Sequence, residues 1–113
     1  LPENVHMIGG HPIVVTDKLE TAEAQADLFK DRLFCLTPAP HTDARAVQLA
    51  ADLAEAMGAK PFFLGVVEHD GLVAAVEHVP QVLASALMQA TSSGNSWKDM
   101  RKQAGSQFYS STL

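Results

Sequence analysis

The chain has 113 residues, 47% of them hydrophobic, with a net charge of −5. That length suits one domain, and the apolar content excludes a disordered chain. The acidic balance, without any Lys/Arg run, excludes nucleic acid as an expected partner. Val5 to Ile8 reads as a short strand that stops at Gly9-Gly10, where backbone freedom is needed. From Thr21 to Phe29, Ala22, Ala26 and Phe29 recur at helical spacing, with Thr21 placed to cap. Arg32 to Thr37 is a compact strand closed by Pro38 and Pro40.

Thr42 to Met57 is the clearest amphipathic helix. Ala46, Val47, Ala50, Leu53, Ala54 and Met57 form its apolar stripe. Thr42 or Asp43 can cap its free amides, and Gly58 can end it in a left-handed conformation. Ala59 to Leu64 gives another strand, with Pro61 favouring an edge or a strand start. Strand, helix and strand here form one βαβ crossover.

Glu68 to about Thr91 reads as one long helix that is apolar on nearly every side. Such a helix must be buried all round, and one small sheet cannot cover it. A second subunit, further chain, or both are expected against it. Pro80 removes one backbone hydrogen bond and is expected to kink the helix near Val76 to Val79. Ser92 to Ser96 is a loop, Trp97 to Phe108 a further helix, and Ser110 to Thr112 a frayed end. No uninterrupted apolar stretch of about 18 residues is present, so no membrane span or membrane partner is expected. The single cysteine, Cys35, lies in an apolar run and reads as a buried thiol. It excludes an internal disulfide and fits a cytoplasmic setting.

Four places hold residues able to do chemistry. His11 follows two glycines at a strand end, where α/β sheets bind ligands and glycines let substrate or cofactor approach the backbone. It reads either as a proton acceptor or as a loop histidine fixed by Pro12. His69 lies in the first turn of the long helix between Glu68 and Asp70, whose charges complement the helix terminus. His78 and Gln81 share a helix face. Neither His69/His78 nor His78/Gln81 has the i, i+4 spacing of a zinc-binding helix pair, and no metal site is expected. Lys98, Arg101 and Lys102 cluster near the C-terminus, as a solvated face or as a site for a carboxylate.

The order of motifs is more specific than any one of them. The chain reads GGHPIVVTDK, ADLFKDRLFCLTPAPHTDARAV, LAEAMGAKPFFL, EHDGLVAAVEHVP and WKDMRKQA in succession. That succession resembles the prephenate/arogenate dehydrogenases of tyrosine biosynthesis over nearly the whole chain. The resemblance implies an α/β fold: a small βαβ-containing sheet remnant, then a long buried dimerisation helix and a C-terminal helix. Residues 1–66 would be the end of the nucleotide-binding-type domain. Residues 67–113 would be a helical dimerisation and substrate region, with a homodimer formed through helix 68–91.

The family oxidises prephenate or arogenate by hydride transfer to NAD or NADP, with decarboxylation. By this resemblance His11 matches the histidine that hydrogen-bonds the substrate hydroxyl and assists its deprotonation. His78, Gln81, Arg101 and Lys102 fall at substrate-binding positions. Asp17, His69 and Asp99 fall in a polar network around the site, and Gly10 lies toward the cofactor. Three positions depart from the pattern. Val15 stands where the family has glycine, Gln81 where it has a second histidine, and Lys102 where it has the substrate-binding arginine. Lysine lacks the bidentate fork that arginine offers a carboxylate. The sequence holds no Gly-x-Gly-x-x-Gly loop. The chain is therefore expected to be the C-terminal portion of a longer enzyme, binding no dinucleotide and showing no activity alone. The alternative is a non-catalytic dimeric ligand-binding or interaction module derived from that family.

Overall fold

The computed structural model describes residues 2–14 and 24–112. The chain divides into two units, Leu1–His69 and Asp70–Leu113. The first unit carries strands β1 (Ile8–Pro12), β2 (Leu33–Pro38) and β3 (Lys60–Phe63), with helix α1 (Ala44–Ala56) between β2 and β3. Among the described residues the sheet order is β1-β2-β3. β1 runs antiparallel to β2, pairing Gly9 with Thr37, Gly10 with Leu36 and His11 with Cys35. β2 and β3 run parallel, pairing Leu33 with Lys60 and Leu36 with Phe63. The βαβ unit expected from the sequence is present, with β3 and its Pro61 at a sheet edge.

The strand expected over Val5 to Ile8 is displaced. It begins at Ile8 and contains both glycines. Val5 instead closes a turn, its N–H donating to the Pro2 carbonyl at 3.0 Å. The glycines serve close approach between strands, because a Cβ on Gly10 would meet Phe34 Cε1 at 2.8 Å and one on Gly9 would strike Thr37 Oγ1. Thr21 and the first residues of the helix expected over 21–29 lie outside the described residues. The remainder forms successive tight turns, with Leu28, Lys30 and Arg32 donating to Gln25, Asp27 and Phe29. These i to i−3 bonds hold the segment in turns without continuing as an α-helix.

Helix α1 follows its sequence signals at both ends. The Asp43 carboxylate accepts the Arg45 N–H at 2.8 Å, the N-cap interaction. Gly58 takes φ +80°, and Ala59 N–H reaches back to the Ala54 carbonyl at 3.0 Å. The buried face is narrower than the predicted stripe. Ala51 and Ala54 are buried, whereas Leu53 is 62% exposed. Alanines allow close packing on the sheet, and the core closes with Cys35, Leu36 and Ala59.

Beyond β3 a helix runs from α2 (Val66–Val73) through a π-helical turn (Ala74–His78) into α3 (Val79–Ser92). Within the π turn Val79 N–H donates to the Ala74 carbonyl, five residues back. The irregularity falls beside Pro80, as expected, and takes the form of a widened turn. Pro80 has no N–H for the Val76 carbonyl, so the chain accommodates it by a change of hydrogen-bond register. No residue of α2 or α3 is buried by the described part of this chain. At 27 residues the continuous helix is long and apolar enough to cross a membrane by length and composition, although it holds no unbroken apolar run of about 18 residues. Core helices meet the same measure, and Glu77 and His78 at mid-length favour a protein environment.

In the second unit α3 packs with α4 (Trp97–Gln103) and α5 (Ser106–Thr112). The single helix expected over Trp97 to Phe108 is thus two. Ala104 turns extended (ψ 123°) and Gly105 follows, which interrupts the helical hydrogen bonds. The helix then restarts with Phe108 and Tyr109 donating to the Gly105 carbonyl. The end expected to fray is helical through Thr112, and the Trp97 and Phe108 rings pack 6.1 Å apart.

Candidate functional site

β1 and the first turn of α2 bring two histidines together. His11 Nδ1 lies 3.0 Å from His69 Nε2, and the rings meet edge to face with centroids 5.2 Å apart. Both side chains are half-buried. His69 is held by helix geometry, its N–H donating to the Gly65 carbonyl at 2.9 Å. His11 is held by the β1–β2 ladder, opposite Cys35. The sequence placed His11 at a strand end; the structure sets it inside β1, because pairing continues through Pro12 with Phe34. Its partner on β2, Cys35, is buried, and burial pushes its thiol pKa up. That thiol is thus kept neutral beside the imidazole.

A nitrogen pair at 3.0 Å is a hydrogen bond only if one nitrogen carries hydrogen and the other does not. His11 Nδ1 is committed to that bond, which leaves its Nε2 as the atom able to meet a substrate. A neutral imidazole presented this way can accept a proton from a hydroxyl.

The other residues singled out from the sequence fall elsewhere. His78 is exposed in the π turn and Gln81 is exposed near the start of α3. Lys102 pairs with Asp99 at 3.1 Å across one turn of α4, and Arg101 is exposed beside it. Asp17 and Val15 lie outside the described residues. A cavity of about 250 Å³ in the second unit is lined by Thr91, Trp97, Met100, Gln103, Ala104 and Phe108, none of them singled out from the sequence. Phe34 and Thr37, which explain both glycines beside His11, were also missed. Only the register of β1 on β2 brings them there.

The sheet with its βαβ crossover makes the chain an α/β protein, with the histidine pair at that sheet. Residues 1–62 match the family model described as prephenate dehydrogenase, nucleotide-binding domain. The chain belongs to the prephenate dehydrogenase family. It is 32% identical to the prephenate dehydrogenase of Bacillus subtilis (strain 168), over 80% of this chain and 24% of that protein. Among solved structures it resembles prephenate dehydrogenase from A. aeolicus in complex with hydroxyphenyl propionate and NAD+. The TM-score there is 0.81 at 28% identity, covering 93% of this chain and 37% of that one. It also resembles Synechocystis arogenate dehydrogenase, with a TM-score of 0.75 at 28% identity, over 95% of this chain and 40% of that one. The chain thus spans about a quarter of the curated relative and well under half of the solved ones.

A nucleotide-binding family makes NAD the cofactor to test against these residues. Among the described residues no glycine-rich turn leads into a helix. The β2–α1 connection carries Pro38-Ala39-Pro40 and no glycine. The space beside the Gly10 Cα is filled by the Phe34 ring.

Proposed function

We propose that this chain is the C-terminal catalytic and dimerisation portion of an NAD(P)-dependent dehydrogenase that acts on prephenate or arogenate in tyrosine biosynthesis. The observation that carries the reading is the His11–His69 contact, which presents one imidazole nitrogen of a half-buried histidine at the sheet. His11 accepts the proton of the substrate's ring hydroxyl as that carbon is oxidised. His69, Asp17 and Asp99 belong to the polar network of the reaction. Lys102, Arg101, His78 and Gln81 are the side chains offered to substrate carboxylates and hydroxyls, with Gly10 toward the cofactor. In this reading the chain works in the cytoplasm as a homodimer through helix 68–91. Without a glycine-rich loop of its own it does not hold a dinucleotide or turn over.

Calorimetric titration of prephenate and arogenate into the chain tests this reading. One of the two is expected to bind, with His11→Ala weakening it about tenfold, the cost of one lost hydrogen bond. Mixing the chain with NAD+ and prephenate is expected to yield no NADH. Binding that is unchanged in His11→Ala and Lys102→Ala overturns the assignment of a retained substrate pocket.

One observation favours a second reading, a non-catalytic dimeric ligand-binding or interaction module. The lysine standing at the family's arginine position spends its charge on Asp99. Tyrosine or arogenate binding that is indifferent to His11 would select that reading.

A further inference from the structure

We propose that His69 is a positioning residue that selects the tautomer of His11, so that the two imidazoles act as one proton-controlled unit. The inference rests on the proton-accepting role of His11 proposed above and concerns how that role is set. The contact joins Nδ1 of His11 to Nε2 of His69 at 3.0 Å. Two neutral arrangements satisfy it. In the first, His11 Nδ1–H donates to His69 Nε2, and His11 Nε2 bears a lone pair. In the second, His69 Nε2–H donates to His11 Nδ1, and His11 Nε2 bears hydrogen. Only the first arrangement leaves a base facing substrate. A neutral histidine in water prefers the tautomer with hydrogen on Nε2, so an acceptor at Nδ1 is needed to reverse the preference. His69 is the acceptor that the fold supplies.

The same geometry makes the pair an off switch. Add one proton, and it lands on either ring. On His11, both of its nitrogens carry hydrogen. On His69, Nε2–H must donate to His11 Nδ1, which moves the hydrogen of His11 to Nε2. In both cases the base is lost while the contact survives. A second proton would set two N–H groups against each other and break it. Among the described residues, Cys35 on β2 stands opposite His11 and is kept neutral by burial, and Glu68 and Asp70 adjoin His69 in sequence in α2.

Nitrogen-15 NMR of the ring nitrogens in the 113-residue chain tests this without substrate or cofactor. At alkaline pH His11 is expected to show hydrogen on Nδ1 and a bare Nε2. His69→Gln, whose side-chain oxygen can take the place of the Nε2 acceptor, is expected to keep that pattern. His69→Phe is expected to revert His11 to the Nε2–H form. On acidification of the wild-type chain, the His11 and His69 signals are expected to move together in the first step. Hydrogen on Nε2 of His11 in the wild-type chain at alkaline pH overturns the proposal, and so do independent titrations of the two rings. Should His69→Phe fail to fold, the wild-type tautomer and the His69→Gln variant decide the matter. A dehydrogenase reading that failed on substrate binding would leave this spectrum unchanged, so the two failures are distinguishable.

Discussion

At Gly10 a missing side chain lets one strand lie against the next. The Phe34 ring occupies the place of its Cβ, at 2.8 Å. Gly10→Ala is therefore expected to destabilise the chain by about 1–3 kcal/mol, the usual cost of overpacking a filled site. Urea denaturation followed by circular dichroism measures it. Gly10→Ala combined with Phe34→Leu is expected to recover most of the loss, because the flat ring that meets the new methyl is gone. Equal destabilisation in both variants would show that the glycine is needed for its backbone and not for the space beside it. His11 is the next residue along β1, so the packing that demands glycine also fixes the imidazole opposite Cys35.

Among the elements, α1 has the best-defined start. The Arg45 side chain donates to the Asp43 carboxylate, its backbone N–H does the same, and together they hold the Asp43 pKa below its ordinary 3.8. A carboxyl with a depressed native pKa stabilises the fold above its unfolded pKa. That contribution is lost as pH falls through the native value. Asn also caps helices well, so Asp43→Asn isolates the charge. The variant is expected to melt below the wild type at neutral pH, and the gap is expected to close as pH falls below about 4. A gap that persists in acid would assign the effect to cap geometry and not to the ion pair. The pair is solvent-exposed, so added salt is expected to narrow the gap at neutral pH.

On the scale of the whole molecule, the apolar helix is the feature most at odds with an isolated chain. Val67 is 87% exposed and Val76, Val82 and Leu83 are each exposed by about two-thirds. Apolar surface of this extent is expected to be covered by a second subunit, further chain, or both. The proposed homodimer through helix 68–91 predicts a dimeric mass in sedimentation at micromolar concentration. Leu83→Glu, which sets a charge into that surface, is expected to shift the chain toward monomer while leaving its helical content unchanged. A monomeric mass for the unaltered chain would sink the dimer.

What the sequence determined by itself was local. The ends of α1 at Asp43 and Gly58, the βαβ order, and the disturbance at Pro80 each depend on a residue acting on its own backbone or on the next turn. The motif order was enough to place the chain in its family. Where sequence reasoning missed, a neighbour distant in the chain made the decision. Strand β1 took in Gly9 and Gly10 because Thr37 and Phe34 stand where their side chains would go. The buried face of α1 turned to Ala51 because close packing on the sheet favours small residues over Leu53. The break at Ala104 and Gly105 had a local signal in the glycine, but helical spacing of the flanking residues concealed it. The histidines were legible as chemistry and not as a pair. They lie 58 residues apart, and only the fold of Leu1–His69 sets one ring nitrogen 3.0 Å from the other. A hydrogen bond of that length depends on positions in space, and spacing along the chain carries no information about it.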